Sequence, residues 1–186
     1  MSARRAWTLA CATALGCGGA TTTPDAAVAA DAVPDAGAFV LTSPAFVDGG
    51  ALPITYTCDG AGTSPPLAWS GVPEGAVELD LLMTTLANDG LKWNWVLYAI
   101  PATANGLATA TAGVGTAGLT SDGPNLAYAP PCSQGPGPKT YTFTLYAVSA
   151  HPSLPPAPSQ VTGAVLTDAL RTVTLAQAAL SVTYTR

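Results

Sequence analysis

The chain has 186 residues, of which 9% are charged and 48% hydrophobic, with 19 glycines and 17 prolines. That is long enough for one ordinary domain with a real core, and the glycine and proline content fits many short strands joined by turns better than long helices. A formal net charge of −5 with six Lys plus Arg leaves no electrostatic footprint for nucleic acid.

Residues 1–16 read as a targeting segment. Arg4 and Arg5 precede an apolar or small run through Gly16, the length of a signal-peptide core and too short to span a bilayer. The run ends at Leu15-Gly16-Cys17, which resembles a bacterial lipoprotein cleavage site with Cys17 as the lipidated first residue. Ala14 stands where that pattern usually has leucine. Plain secretion is the alternative. Either way the expected location is the bacterial cell envelope, lipid-anchored or periplasmic, with membrane attachment through the lipid alone. Residues 17–38 are Ala, Thr, Asp, Pro and Gly with almost no large apolar side chain. Such a stretch cannot offset its ordering entropy and is expected to be a tether. The domain is expected at 39–186.

Within it, strand patterns dominate. Short apolar or alternating runs at 39–42 and 54–57 each predict a strand. Over 77–83, Val77, Leu79 and Leu81 alternate with Glu78 and Asp80. Residues 95–100 are continuously apolar, as in a strand buried on both faces. Residues 140–148 alternate Tyr141, Phe143, Leu145 and Ala147 with Thr140, Thr142, Thr144 and Tyr146, the clearest strand of the chain. Asp48-Gly49-Gly50, Pro73-Glu74-Gly75 and Asn88-Asp89-Gly90 mark turns. Thr162 can cap a helix in which Val165, Leu166, Ala169 and Leu170 share a face. A second helical turn is expected at 175–180 and a closing strand at 181–185.

Three separated segments carry a resemblance. They are YTCDGAGTSPPLAW (56–69), WNWVLYAIP (93–101) and APPCSQGPGPKTYTFTLYA (129–147). In this order and spacing they resemble the phosphatidylethanolamine-binding protein family, most closely its bacterial, Raf-kinase-inhibitor-like branch (the YbhB/YbcL type). The resemblance covers 39–186 and implies an antiparallel β-sandwich with one or two peripheral helices. It also implies a small cavity at one end of the sandwich that holds a phosphate-like or carboxylate group.

Several positions of that site are changed. The family's Asp-Pro-Asp stretch falls on Thr85-Leu86-Ala87, without its carboxylates, and its pocket histidine falls on Asn94 between Trp93 and Trp95. Asn can donate a hydrogen bond but cannot become a cation. The Gly/Pro-rich loop survives around Tyr128, Pro130 and Pro131, Lys139 stands where a histidine often begins the next strand, and Tyr141 matches the strand tyrosine. The expected ligand set is therefore Thr85, Asn94, Tyr128, Pro130, Pro131, Lys139 and Tyr141. It would serve a small polar or anionic ligand, a phospholipid headgroup included, or a protein partner. The competing expectation is a cell-envelope interaction module whose cavity is vestigial, filled by Leu86, Trp93 or Trp95. Trp93 and Trp95, two apart, are expected on one side of a strand.

The mature domain would keep Cys58 and Cys132, which in an oxidising compartment are expected to pair. The bridge would close a loop of about 75 residues, worth roughly 4 kcal/mol in the chain-entropy model, and brace two walls of the implied cavity. Two cysteines and one distant His151 offer no metal-ligand spacing. No G-x-S-x-G occurs, and Asp48, Asp59 and Asp89 all lie in glycine-rich turns without an evident partner. No enzyme, metal or cofactor is expected. His151, beside Pro152, reads as an exposed turn residue, and Asp59 in Cys-Asp-Gly as an Asx turn.

Overall fold

Alternation of apolar and hydroxyl side chains lets a strand bury one row and leave the other for a second layer. The computed structural model, which describes residues 37–121 and 125–186, builds nine strands this way. In chain order they are β1 (Val40–Thr42), β2 (Gly50–Ala51), β3 (Leu67–Ser70), β4 (Glu78–Ala87), β5 (Gly90–Pro101), β6 (Gly106–Leu107), β7 (Thr116–Ala117), β8 (Lys139–Val148) and β9 (Thr174–Tyr184). A single α-helix among the described residues, α1, spans Gly163–Leu170. The described residues fall within one compact unit, Pro34–Arg186. The leader, Cys17 and the tether through residue 36 lie outside them.

The strands form a three-stranded sheet, β1-β3-β6, and a six-stranded sheet, β2-β9-β8-β4-β5-β7. Neighbours in the large sheet run antiparallel, apart from the short β2–β9 pair. The main core lies between the sheets. Leu41, Leu67 and Trp69 of the small sheet share it with Leu81, Met83, Phe143, Leu145, Leu180 and Val182 of the large one. Burying a side chain such as Phe143 fully contributes on the order of 2–3 kcal/mol. The outer face of the large sheet is covered in turn. Leu82, Val96 and Val148 pack against Val161, Leu166 and Leu170. β4 is therefore buried on both faces, which explains why its apolar pattern becomes continuous after Leu81.

Most predicted elements appear, with β4, β5 and β9 longer than expected. Thr162 caps α1, its hydroxyl oxygen accepting from the Val165 N–H at 3.2 Å. Asn88-Asp89 makes the two-residue turn between β4 and β5. Two expectations are corrected. Residues 54–57 do not form a strand: Ile54–Tyr56 is a 3₁₀ turn after Pro53. The chain doubles back there so tightly that a Cβ on Gly60 would sit 2.0 Å from the Ile54 carbonyl oxygen. Four residues of alternation are too few to separate a strand from a turn. Residues 175–180 are not helical but belong to β9, where ten residues pair with β8. The alanines there prefer helix in isolation, but the β8 edge supplies their hydrogen bonds and the core takes Ala178 and Leu180.

A third correction concerns the tryptophans. The β4–β5 register shifts between Met83 and Thr84: Met83 lies opposite Trp95, and Thr84 opposite Trp93. Asn94 is the extra residue of a β-bulge, so Trp93 and Trp95 face opposite sides of the sheet. Trp95 joins the main core. Trp93 packs on the outer layer, so close to the start of α1 that a Cβ on Gly163 would lie 2.0 Å from its ring.

Candidate functional site

β4, β5 and β8 are neighbours, and their registers align Lys92, Thr85 and Tyr141 in one row across three strands. Lys139 stands two residues before Tyr141 on β8 and so shares its face. These four side chains line a cavity of about 330 Å³. The β4–β5 turn closes one side with Asn88 and Asp89, and the segment before β8 closes another with Cys132, Ser133 and Gln134.

Hydrogen bonds sort the wall into groups already committed and groups still available. Thr85 Oγ1 donates to the Thr140 carbonyl at 2.8 Å, so its proton is spent and it offers a ligand only lone pairs. Lys92 Nζ lies 2.7 Å from Asp89 Oδ2, and this bond, more than any other influence, holds the Asp89 carboxyl below the usual range. Ser133 is 5% exposed, and its Oγ makes no hydrogen bond to the described residues. A buried hydroxyl in that state carries a desolvation cost that a ligand oxygen would relieve. Two ammonium groups and one carboxylate thus line the cavity, together with hydroxyls from Thr85, Ser133 and Tyr141. The set suits an anion.

Of the expected ligand set, the structure places Thr85, Lys139 and Tyr141 on this cavity. Asn94, Tyr128, Pro130 and Pro131 are not among its lining. They instead fasten the segment that forms its wall. Asn94, 1% exposed, accepts the Ala129 N–H at 2.7 Å through its carbonyl and donates to the Ala129 carbonyl at 3.4 Å through its side-chain amide. Tyr128 donates to the Tyr56 carbonyl at 2.7 Å and packs edge-on to Trp95, with ring centroids 5.4 Å apart. Burial raises its phenol well above the ordinary range, so it is a neutral donor at any working pH. Pro130 lies against Gly62, and the Pro131 carbonyl accepts the Cys58 N–H at 3.0 Å. The disulfide Cys58–Cys132 completes this fastening, with Cα atoms 5.2 Å apart.

None of the three side chains expected to fill a vestigial cavity lines it. Leu86 is 74% exposed, and Trp93 and Trp95 pack elsewhere. Sequence reasoning missed Lys92 and Ser133. The pairing of Lys92 with Thr85 was readable from the hairpin turn, since two strands joined at Asn88-Asp89 must align those positions; nothing local marks Ser133.

A second cluster lies on the outer face of β4. His151 is 78% exposed at its side chain, as expected of a turn residue, yet its Nδ1 pairs with the buried Glu78 carboxylate. Asp80, two residues on, is 0% exposed; its Oδ1 accepts the Ala99 N–H at 3.1 Å and its Oδ2 has no hydrogen-bond partner among the described residues. Burial first, then the neighbouring Glu78 carboxylate, pushes the Asp80 carboxyl up to about 7. Asp59, beyond its turn role, accepts from the Tyr184 hydroxyl and pairs with Arg186 Nε at 3.0 Å.

Comparison with known proteins agrees with the fold. Residues 42–185 match the family model described as phosphatidylethanolamine-binding protein. The chain is 34% identical over 145 residues to the LppC protein of Mycobacterium tuberculosis, which its name assigns to the lipoproteins, covering 77% of this chain and 70% of that one. It is 34% identical over 154 residues to a UPF0098 protein of Chlamydia pneumoniae, covering 77% of this chain and 97% of the relative. Among solved structures, the phosphatidylethanolamine-binding protein homologue CT736 of Chlamydia trachomatis superposes with a TM-score of 0.73 at 32% identity, over 81% of this chain and 99% of that one. YbcL of E. coli superposes with a TM-score of 0.71 at 26% identity, over 80% and 98%. The chain therefore belongs to the phosphatidylethanolamine-binding protein family.

Proposed function

We propose that this protein is an exported, non-enzymatic binding protein that takes a small anionic or polar group, such as a phosphate, a carboxylate or a phospholipid headgroup, in the β4–β5–β8 cavity. The observation that carries the reading is the combination of two lysines, Lys92 and Lys139, with the buried Ser133 hydroxyl, which has no hydrogen-bond partner among the described residues, around one cavity of about 330 Å³. An ammonium supplies charge at long range, and a dry hydroxyl supplies a directed bond at short range. Export and lipidation at Cys17 are supported by the leader pattern, by the disulfide, and by the lipoprotein name of the LppC relative.

A protein partner is the second reading. Leu86 and Leu91 are cross-strand neighbours on the hairpin that carries Asp89 and Lys92, and both are exposed. A partner that places an acidic residue in the cavity would cover them at once.

The test is a thermal-shift titration of Pro34–Arg186 with phosphate, phosphoethanolamine, acetate and a short-chain phospholipid, beside Lys139→Ala. A ligand at a hundred times its Kd stabilises by about 2.7 kcal/mol, which raises Tm by roughly 5 °C or more in a domain of this size. The expected result is a saturable rise that Lys139→Ala abolishes. No rise with any of the four would eliminate the small-anion reading and favour the protein partner.

A further inference from the structure

The segment that closes the cavity before β8 is held unevenly. Upstream, the Ala129 N–H, the Tyr128 hydroxyl and the Pro131 carbonyl all make hydrogen bonds to the sandwich. From residue 132 to residue 138 the described residues show no backbone hydrogen bond outside the strands. Two of these residues, Pro136 and Pro138, have no N–H, and Gly135 and Gly137 sit at φ +106° and +86°, open to few other residues. Gln134 and the four residues after it are exposed. The disulfide at Cys132 is thus the anchor of a wall that carries Ser133 and Gln134 into the cavity.

The two cysteines differ in exposure. Cys132 is exposed and itself lines the cavity, whereas Cys58 is half-buried behind it. Charged groups sit beside the bridge: Arg186 Nη1 lies 3.5 Å from Cys132 Sγ, and Arg186 Nε pairs with Asp59, the residue next to Cys58. In thiol–disulfide exchange the attacking sulfur is an anion, and in the transition state one negative charge is spread over three sulfurs. A guanidinium beside the attacked sulfur favours that state and a carboxylate opposes it.

We propose that Cys132 is a site of thiol–disulfide exchange, at which an external dithiol releases the cavity wall. The thiolate of the dithiol attacks Cys132 Sγ, forming a mixed disulfide, and the Cys58–Cys132 bond breaks with its electron pair on Cys58, which takes a proton from water. The second thiol of the reductant then displaces Cys132 as a thiolate, and the reductant leaves as a disulfide. Two electrons pass from the reductant to the protein: the dithiol is oxidised to its disulfide and the Cys58–Cys132 bridge is reduced to two thiols. With both cysteines reduced, residues 132–138 lose their covalent anchor, and Ser133 is no longer fixed in the cavity. The consequence for ligand affinity rests on the binding reading above; the exchange itself does not.

The experiment treats the folded chain with glutathione as a monothiol probe, quenches with an alkylating agent, and maps the two cysteines by mass spectrometry. Glutathione is expected on Cys132 and the alkyl group on Cys58. After full reduction, cleavage by a non-specific protease is expected to speed up within residues 132–138, while the hydrogen-bonded Ala129 amide keeps its exchange protection. Two surface variants separate electrostatics from damage to the fold: Arg186→Gln is expected to slow exchange and Asp59→Asn to speed it, each on the order of threefold at low salt and less at high salt. Glutathione mapped to Cys58, or a native bridge inert to glutathione that opens readily once the chain is unfolded, would overturn the proposal. Phosphate titration of the oxidised and reduced forms is scored apart. Tighter binding when oxidised supports the gating of the site. Exchange at Cys132 with no phosphate binding in either form retires the binding reading and leaves the exchange site standing.

Discussion

Thr85 shows how one hydrogen bond changes a residue's part in a site: its hydroxyl proton goes to Thr140, so it can shape the cavity but not donate into it. Asp89 does the reverse of what an anion site needs, by placing a carboxylate against Lys92. An exposed pair of this kind is weak, so a ligand can displace it. Asp89→Asn is expected to tighten phosphate several-fold at low salt, read by the same thermal titration; unchanged affinity would place the anion away from Lys92. Asp80 makes a prediction of its own. Its carboxyl is raised from 3.8 to about 7 in the folded chain, so the unfolded chain binds fewer protons between those values. Stability is then full below about pH 4 and falls as pH rises through 7, by up to about 4 kcal/mol. Asp80→Asn is expected to flatten that slope in urea unfolding between pH 4 and 8, and an unaltered slope would assign it to other groups.

At the scale of elements, the bulge at Asn94 decides the most. By inserting one residue into β5 it sends Trp93 outward onto α1 and keeps Trp95 in the core. The contact leaves no room at Gly163. Alanine is the better helix former by about 1 kcal/mol, yet its methyl would enter the indole of Trp93. Overpacking costs about 1–3 kcal/mol, so Gly163→Ala is expected to lower stability by denaturant unfolding. A gain would mean that the Trp93 ring moves freely. β8 was the most legible because its alternation runs unbroken over 140–148, and α1 because Thr162 caps a run of apolar residues at helical spacing. The short stretch at 54–57 and the alanine-rich 175–180 were not legible, since turn closure in one case and an available strand edge in the other outweigh local preference.

For the whole molecule, the disulfide joins residues 74 apart in sequence, so its loss should be felt globally. Replacing Cys58 and Cys132 together with serine is expected to cost about 4 kcal/mol, seen as a lower denaturant midpoint with a similar slope. A loss near zero would show that the remaining wall contacts hold residues 58 and 132 together unaided.

The sequence by itself marked the family and with it the sandwich class, through the resemblance of three segments, and it marked the helix cap and the cysteine pair, because a cap acts on residues near in the chain and the domain holds only two cysteines. It also marked Thr85, Lys139 and Tyr141, which do share a cavity. Only the tertiary structure decided that Lys92 and Ser133 join them, that Asn94, Tyr128, Pro130 and Pro131 fasten the wall instead, and that Glu78, Asp80 and His151 meet on the outer face. The physical reason is register. A repeat tells which residues share a face of one strand, but a bulge or a paired edge sets which strands align, and that is settled by packing between residues dozens of positions apart.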